Sequence, residues 1–445
     1  MYEQYGEGIM RIRKNAKDLT ANEKKELIKA FKALKAKQVT LPNNKKIKLY
    51  DTYVAIHLGV SRKEKNGTIL PGPQSDGGHQ NAAFLPWHRE FLRRVEEDLQ
   101  KFSGNPDLSI PYWDWADSAS TLNKIFVPNF MGGTGTGAMD LGARKVAASH
   151  PLSKQRGWPI DPRVHLLNLD FPASLVGSGD QLRRQLRNKN DLPDISLIED
   201  LFASQNDDYD KFHNAIENHP KMHGAMHAWV GGTMMSMSSP NDPIFMMNHA
   251  YIDRLWALWQ SYGHSGEKYY PGRTSSEPKG HKLNDNMWPW DGGQTGVQAR
   301  KDIWNLVPPT TDKVTPKKML HTLALGYGYV SWERVKAILD GAIKAWRKNN
   351  PQFPPQISNE QIVKAKHGAS FSWDTPEKLA ASVAKGKRLI QPGKVGNGKA
   401  HETNLIRILK APVPSLGPQM PRGGPYLKKL EIAEIAHWID SGMPK

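Results

Sequence analysis

Six of the 16 histidines in this 445-residue chain lie in stretches otherwise filled with Trp, Phe, Met and aliphatic side chains, and that placement constrains the fold most. His57 shares a helical stripe with Tyr50, Tyr53 and Val54. His79 sits at the end of a Gly/Pro/Asn-rich loop, Arg62 to Gly78, and His88 opens a helix whose buried face is Phe91, Leu92, Val95 and Leu99. His223 and His227 stand one helical turn apart, so both rings leave the same face. His249 follows on its own helix, with Ile252, Asp253 and Trp256 on the same side. One His in an apolar stripe is usually a satisfied core residue. Six of them in two matched halves are costly to bury unless they share a ligand. Several helices must therefore converge on one centre. The other ten (His150, His165, His213, His219, His264, His281, His321, His367, His401 and His437) lack such a setting and read as surface or structural residues.

The skeleton around these positions is mainly α. Thr20-Ala-Asn-Glu23 is a capping box, and Leu27, Ile28, Phe31 and Leu34 continue at helical spacing, predicting a helix over 21–37. Pro86 suits a helix start. Residues 118–190 carry many Gly, Pro and Ser and read mostly as loop; helical patterns return at 208–230, and "SPNDPIFMMNHAYIDRLWALWQSYG" reads as another helix with Asn-Asp-Pro as its N-terminal signal. Past about residue 300, "VPPTTDKVTPKK" and "NNPQFPPQIS" are connectors around a short β-like piece, "LGYGYVSW", and a helix, "ERVKAILDGAIKAWRKN". The chain closes on an amphipathic helix with Leu430, Ile432, Ile435, Trp438 and Ile439 on one face. A boundary near Val330 divides residues 1–330 from 331–445.

The chain has no cysteine. Disulfides, zinc–thiolate sites, iron–sulfur clusters and covalent c-type haem are thereby excluded. A zinc protease needs Glu directly after the first His of HxxxH, and Gly224 cannot serve. A three-His zinc site explains half of the set, and no carboxylate is spaced for a 2-His-1-carboxylate iron site. Two all-imidazole sites favour copper, which among divalent first-row metals binds nitrogen ligands most tightly.

Of the +17 net charge, +10 falls in residues 331–445, where 19 Lys and Arg face 9 Asp and Glu. No recognition-helix or RNP-like pattern accompanies it, so it reads as a solvated basic surface without a nucleic-acid partner. No run approaches 18 apolar residues, and "MYEQYGEGIMRIRKN" has no apolar signal-peptide core. The expectation is a protein that is not membrane-bound, either cytoplasmic or a mature form whose export signal has been removed; a homo-oligomer is left open.

"HQNAAFLPWHREFL" and "MHGAMHAWVGGTM" with "SPNDPIFMMNHAYIDRLW" closely resemble the two copper motifs of bacterial tyrosinases, type 3 copper proteins related to catechol oxidases and haemocyanins. "PYWDW" at 111–115 and the pair Tyr327 and Tyr329 extend the resemblance over most of residues 8–330. It implies a four-helix bundle with a dicopper centre, His57, His79 and His88 on one copper, and His223, His227 and His249 on the other. It implies O2 as co-substrate, phenolic small molecules as substrates, ortho-hydroxylation of monophenols and oxidation of o-diphenols to o-quinones. Phe245 matches the Phe packed over the ligand rings, and Glu217 is the candidate catalytic acid that holds a water and helps deprotonate the phenol; the alternative is a solvated charge at a helix start. Ser238 joins the pocket residues. Three positions depart from the pattern: Gly224, where hydroxylating members often carry Asn; Ala228, where some relatives carry Arg; and Asn248, where a second His is common. Gly224 motivates a rival reading, a catechol or o-aminophenol oxidase without monophenolase activity. A haemocyanin-like oxygen carrier is a third.

"QMPRGGPYLKKLEIAEIAHWIDSG" more faintly resembles the last loop and helix of small cytochrome c domains. Without Cys, residues 331–445 are expected to hold no haem and to act as a cap, with Met420, Tyr426 or Leu427 as candidate plugs. A latent enzyme would then gain activity when trimmed after about residue 330.

Overall fold

Thr20 caps α1 (Ala21–Ala36): its hydroxyl accepts from the Glu23 N–H, and the Glu23 carboxylate accepts from the Thr20 N–H. Leu27, Ile28, Phe31 and Leu34 form its buried face, which packs on α2 (Leu49–Val60) and α3 (Phe84–Ser103). In this computed structural model the described residues are 10–445 apart from 42–43, 62, 66–67, 70–75, 140–141, 166–179, 272–281, 294–297, 300–304, 354–355 and 369. His281, most of the loop from Arg62 and most of the N-terminal stretch lie outside them, as do the side chains of His165 and His367.

Among the described residues helices dominate, and the strands are two or three residues long. The 208–230 pattern divides into α4 (Tyr209–Glu217) and α5 (His223–Val230). Pro220 lies in the break; its missing N–H and its clash with the preceding residue disfavour a continuous helix. α6 (Ile244–Trp259) is buried along its whole length and packs on α3 and α5. α3 begins two residues before Pro86 and ends at Gly104, which takes a left-handed φ of 72°.

One buried charge cluster fixes α3 against α6. Asp253 on α6 accepts from Arg89 Nε at 2.5 Å, Arg13 Nη1 at 3.2 Å, and the hydroxyls of Tyr327 and Tyr329 at 2.7 and 2.5 Å. Arg13 also reaches Glu96 at 2.9 Å and stacks 3.7 Å from the Tyr327 ring centroid. The two tyrosines arrive because Tyr327–Gly328 pairs in parallel with Arg11–Ile12. Burial pushes Asp253 up, but Arg89 and Arg13 outweigh it and hold the carboxylate below its ordinary value. A depressed folded pKa contributes stability above the unfolded value and loses it as pH falls through the folded one. Asp253→Ala would leave two buried guanidiniums uncompensated, at a cost of about 3–5 kcal/mol. Thermal unfolding of the metal-free variant is expected to show a clearly lowered midpoint; an unchanged midpoint would remove the cluster from the stability account.

Beyond Val330, α7 (Trp332–Lys348) and the final helix α8 (Lys429–Asp440) pack on each other, and α8 also packs on α6. Leu430, Ile432, Ile435, Trp438 and Ile439 are buried, the face expected from the sequence, and they belong to the same hydrophobic core as α2, α3 and α6. Arg254 of α6 pairs with Glu434, which Arg334 of α7 also contacts at 2.7 Å. His437 accepts from the Tyr329 N–H at 3.3 Å. Among the described residues no helix is long and apolar enough to cross a membrane.

Candidate metal centre

Five of the six histidines ride on helices: His57 on α2, His88 on α3, His223 and His227 on α5, His249 on α6. His79 rides on the short loop before α3. They gather as two triads, His57/His79/His88 and His223/His227/His249, with one ring nitrogen from each member within 4.8 Å of the others in its triad. The triads meet where His88 and His249 stack at 4.2 Å between centroids.

The protein orients four of these rings through Nδ1. His57, His88 and His227 present Nδ1 to the carbonyls of Met237, Phe84 and Met234 at 2.7, 2.8 and 2.8 Å. Donation there leaves each Nε2 with a lone pair pointing inward, the tautomer a metal takes. The glycines of "WVGG" make the His227 contact: Gly231 and Gly232 have φ of 68° and 56°, and a Cβ on Gly232 would lie 2.3 Å from the Arg183 carbonyl. That turn folds Met234 back under His227, and Met237 beneath His57, so one segment serves both triads. His79 Nδ1 instead faces both Asp76 oxygens at 3.1 Å.

Burial keeps five rings neutral. His57, His88, His223 and His249 are held well below the usual histidine range, and His227 is lowered to about 4. His79 is the exception: burial lowers it, but Asp76 outweighs burial and raises it. The Nε2 atoms of His88, His223, His227 and His249 are buried and meet no hydrogen-bond partner. Those of His57 and His79 face one another at 3.2 Å. When both rings are neutral and donate through Nδ1, these are two opposed lone pairs, an arrangement that a cation between them relieves. An all-nitrogen donor set of this kind fits copper.

Two phenylalanines complete the centre. Phe245 lies 4.1 Å from His249 and 4.9 Å from His57 between centroids, and Phe84 lies 4.9 Å from His88 and 5.0 Å from His223. Phe84 and Asp76 were not among the residues singled out from the sequence. Phe84 had a signal: it precedes His88 by four residues, as Phe245 precedes His249. Asp76 sat unmarked in the loop.

The remaining candidates divide. Gly224 is exposed, Ala228, His223 and His227 are half-buried, and together they mark the open side of the centre. A Cβ on Gly224 would meet no atom within 4 Å. Ser238 is fully buried, with its hydroxyl 2.8 Å from that of Ser236. Asn248 is fully buried and accepts from Trp115 Nε1 at 2.9 Å. Glu217 is not a solvated charge at a helix start: it is buried at the end of α4, accepts from the Gln80 N–H at 2.6 Å, and lies 2.5 Å from His213 Nε2. Tyr426 is 50% exposed, and Met420 packs on Ile408, Val413 and Leu416, so neither is inserted among the histidines. Leu427 packs at the edge of the main core.

A helical scaffold that faces two all-imidazole triads across stacked rings defines the type 3 copper class. Residues 47–262 match the family model described as the common central domain of tyrosinase. The chain is 34% identical over 299 residues to a tyrosinase of Streptomyces antibioticus, a match covering 63% of this chain and 93% of that protein. It is 34% identical over 289 residues to a tyrosinase of Streptomyces glaucescens, covering 63% and 93%. It is 30% identical over 314 residues to grixazone synthase of Streptomyces griseus, covering 63% and 94%. The chain belongs to the tyrosinase family and is a copper-dependent phenol oxidase.

Proposed function

We propose that the two triads each hold one copper ion and that the enzyme both hydroxylates monophenols at the ortho position and oxidises o-diphenols to o-quinones. The observation that carries this reading is the set of four buried Nε2 atoms, on His88, His223, His227 and His249, that meet no hydrogen-bond partner. Copper, when bound, supplies the electron transfer to O2. The chain's own part is to fix six imidazoles, five on helices, four of them by hydrogen bonds at Nδ1. Phe84 and Phe245, both fully buried, keep water from the ring faces. The phenol ring enters beside His223 and His227, where Gly224 and Ala228 leave room. Its proton leaves on that open side, while Glu217 stands against Gln80 and His213. Residues 331–445 form a unit docked on α6. Oxygen uptake on a monophenol with a trace of diphenol tests the hydroxylation directly: a lag that the diphenol relieves supports it, and oxidation of the diphenol alone contradicts it.

A second reading, oxidation of o-diphenols or o-aminophenols without hydroxylation, is favoured by the missing side chain at 224 and by the engaged Glu217. Gly224→Asn separates the two. The open space over Gly224 admits the side chain, and its amide can hold a water at the mouth. The monophenol-to-diphenol rate ratio is expected to rise about tenfold, the equivalent of one hydrogen bond of roughly 1.4 kcal/mol. An unchanged ratio in a folded, copper-loaded variant would show that position 224 does not set substrate range.

A further inference from the structure

We propose that Glu217 is a positioning residue: with His213 it clamps the loop that presents His79, and so ties the second half of the centre to the first. This rests on the dicopper reading above. His79 is the one histidine of the six that no helix carries, and a loop holds a ligand less firmly than a helix does. Its neighbour Gln80 has a φ of 53°, a left-handed conformation that non-glycine residues adopt at a cost. The N–H of that residue donates to Glu217 Oε1 at 2.6 Å, so the carboxylate stabilises the strained turn.

The clamp is built to stay in place. Glu217 has a side-chain exposure of 4%, and its second oxygen is held at 2.5 Å by His213, one turn earlier on α4. His213 is itself buried. A second α4 side chain grips the same loop, the Tyr209 hydroxyl donating to the Ala82 carbonyl at 2.6 Å. Inside the loop, Asp76 Oδ1 accepts from the N–H groups of Gly78 and His79, each at 2.8 Å. α4 therefore fastens residues 80 and 82, on the helix side of His79, while Asp76 fixes the residues before it. Each Glu217 oxygen is committed to one of these two bonds. Positioning needs the bonds intact and needs no proton.

The two roles give opposite orders for two variants. In Glu217→Gln the amide oxygen can still accept from Gln80, and the amide NH2 can donate to His213 in its other tautomer. Glu217→Asp keeps the charge but is one methylene too short to span α4 and the loop. Metal-free wild type, E217Q and E217D are titrated with copper, the bound metal is counted per chain, and Cu(II) resonance is recorded. A coupled pair is silent and a lone Cu(II) ion is not. The expected result is two silent coppers in wild type and E217Q, with monophenol and diphenol rates within about threefold of each other. E217D should hold one firmly bound, resonance-visible copper, its first-triad affinity lowered 10–100-fold, the usual range when a metal ligand loses its support. Two firmly bound coppers in E217D would overturn the clamp, as would an E217Q that keeps two coppers and diphenol oxidation but loses hydroxylation. If E217D does not fold, E217Q decides alone: intact copper and intact rates support the clamp, and loss of either overturns it. A wild type that does not bind two coppers would refute the dicopper reading itself, an outcome distinct from all of these.

Discussion

His227→Ala is expected to hold one copper per chain instead of two and to have no measurable phenol oxidation. His227 projects from α5, and its Nδ1 contact to the Met234 carbonyl at 2.8 Å fixes the ring's direction. Alanine leaves His223 and His249, two imidazoles from different helices, which is too few to hold a copper against water. Changes to the residues behind a ligand cost 10–100-fold in metal affinity. Loss of the ligand itself should cost more. The fold should survive, because His227 lies at the half-buried mouth and makes no contact with the Asp253 cluster. Copper analysis and oxygen uptake on a catechol check both halves. A variant with two coppers and undiminished turnover would exclude His227 as a ligand.

A chain ended at Val330 is expected to be much less stable, and not simply more active. The cut removes Glu434 from the buried Arg254, which by itself costs about 3–5 kcal/mol. It also strips the side chains of Leu430, Ile432, Ile435, Trp438 and Ile439 from the common core, each contributing about 1.5–3 kcal/mol when fully buried. The Tyr329 N–H would lose its acceptor, His437, beside the same tyrosine hydroxyl that supports Asp253. Together these approach the whole stability of an ordinary domain. The truncated chain should be insoluble or melt far below the full chain. If it melts at the full chain's temperature and its specific activity rises several-fold, residues 331–445 are a detachable inhibitor.

Much of the centre was legible because its signals are local. The spacing of His223 and His227, the capping box at Thr20 and the buried face of α8 each depend on neighbours within a few turns. What the sequence hid depends on distant pairing. Glu217 reads in the sequence as a catalytic acid or a solvated charge, and its contact with the loop is hidden because its partner Gln80 is 137 residues away. His213 looked incidental, although its four-residue spacing from Glu217 was open to view. The interruption between α4 and α5 was marked by Pro220, but the apolar pattern on either side masked it. The carbonyls of Met234 and Met237 could not be anticipated at all, since a backbone acceptor carries no sequence signature. The sequence also had no local rule for choosing among the candidate plugs of the tail. Tyr426 and Met420 stand in a Pro/Gly-rich loop whose placement is set by how α8 docks, not by its own residues.

The most direct test is crystallographic: copper-loaded crystals of the full chain, with anomalous maps at the copper edge. Two peaks are expected, one about 2 Å from the Nε2 atoms of His57, His79 and His88, the other equally close to those of His223, His227 and His249. A single peak, or a peak bonded to Asp76 or Glu217 in place of an imidazole, would contradict the two-triad centre.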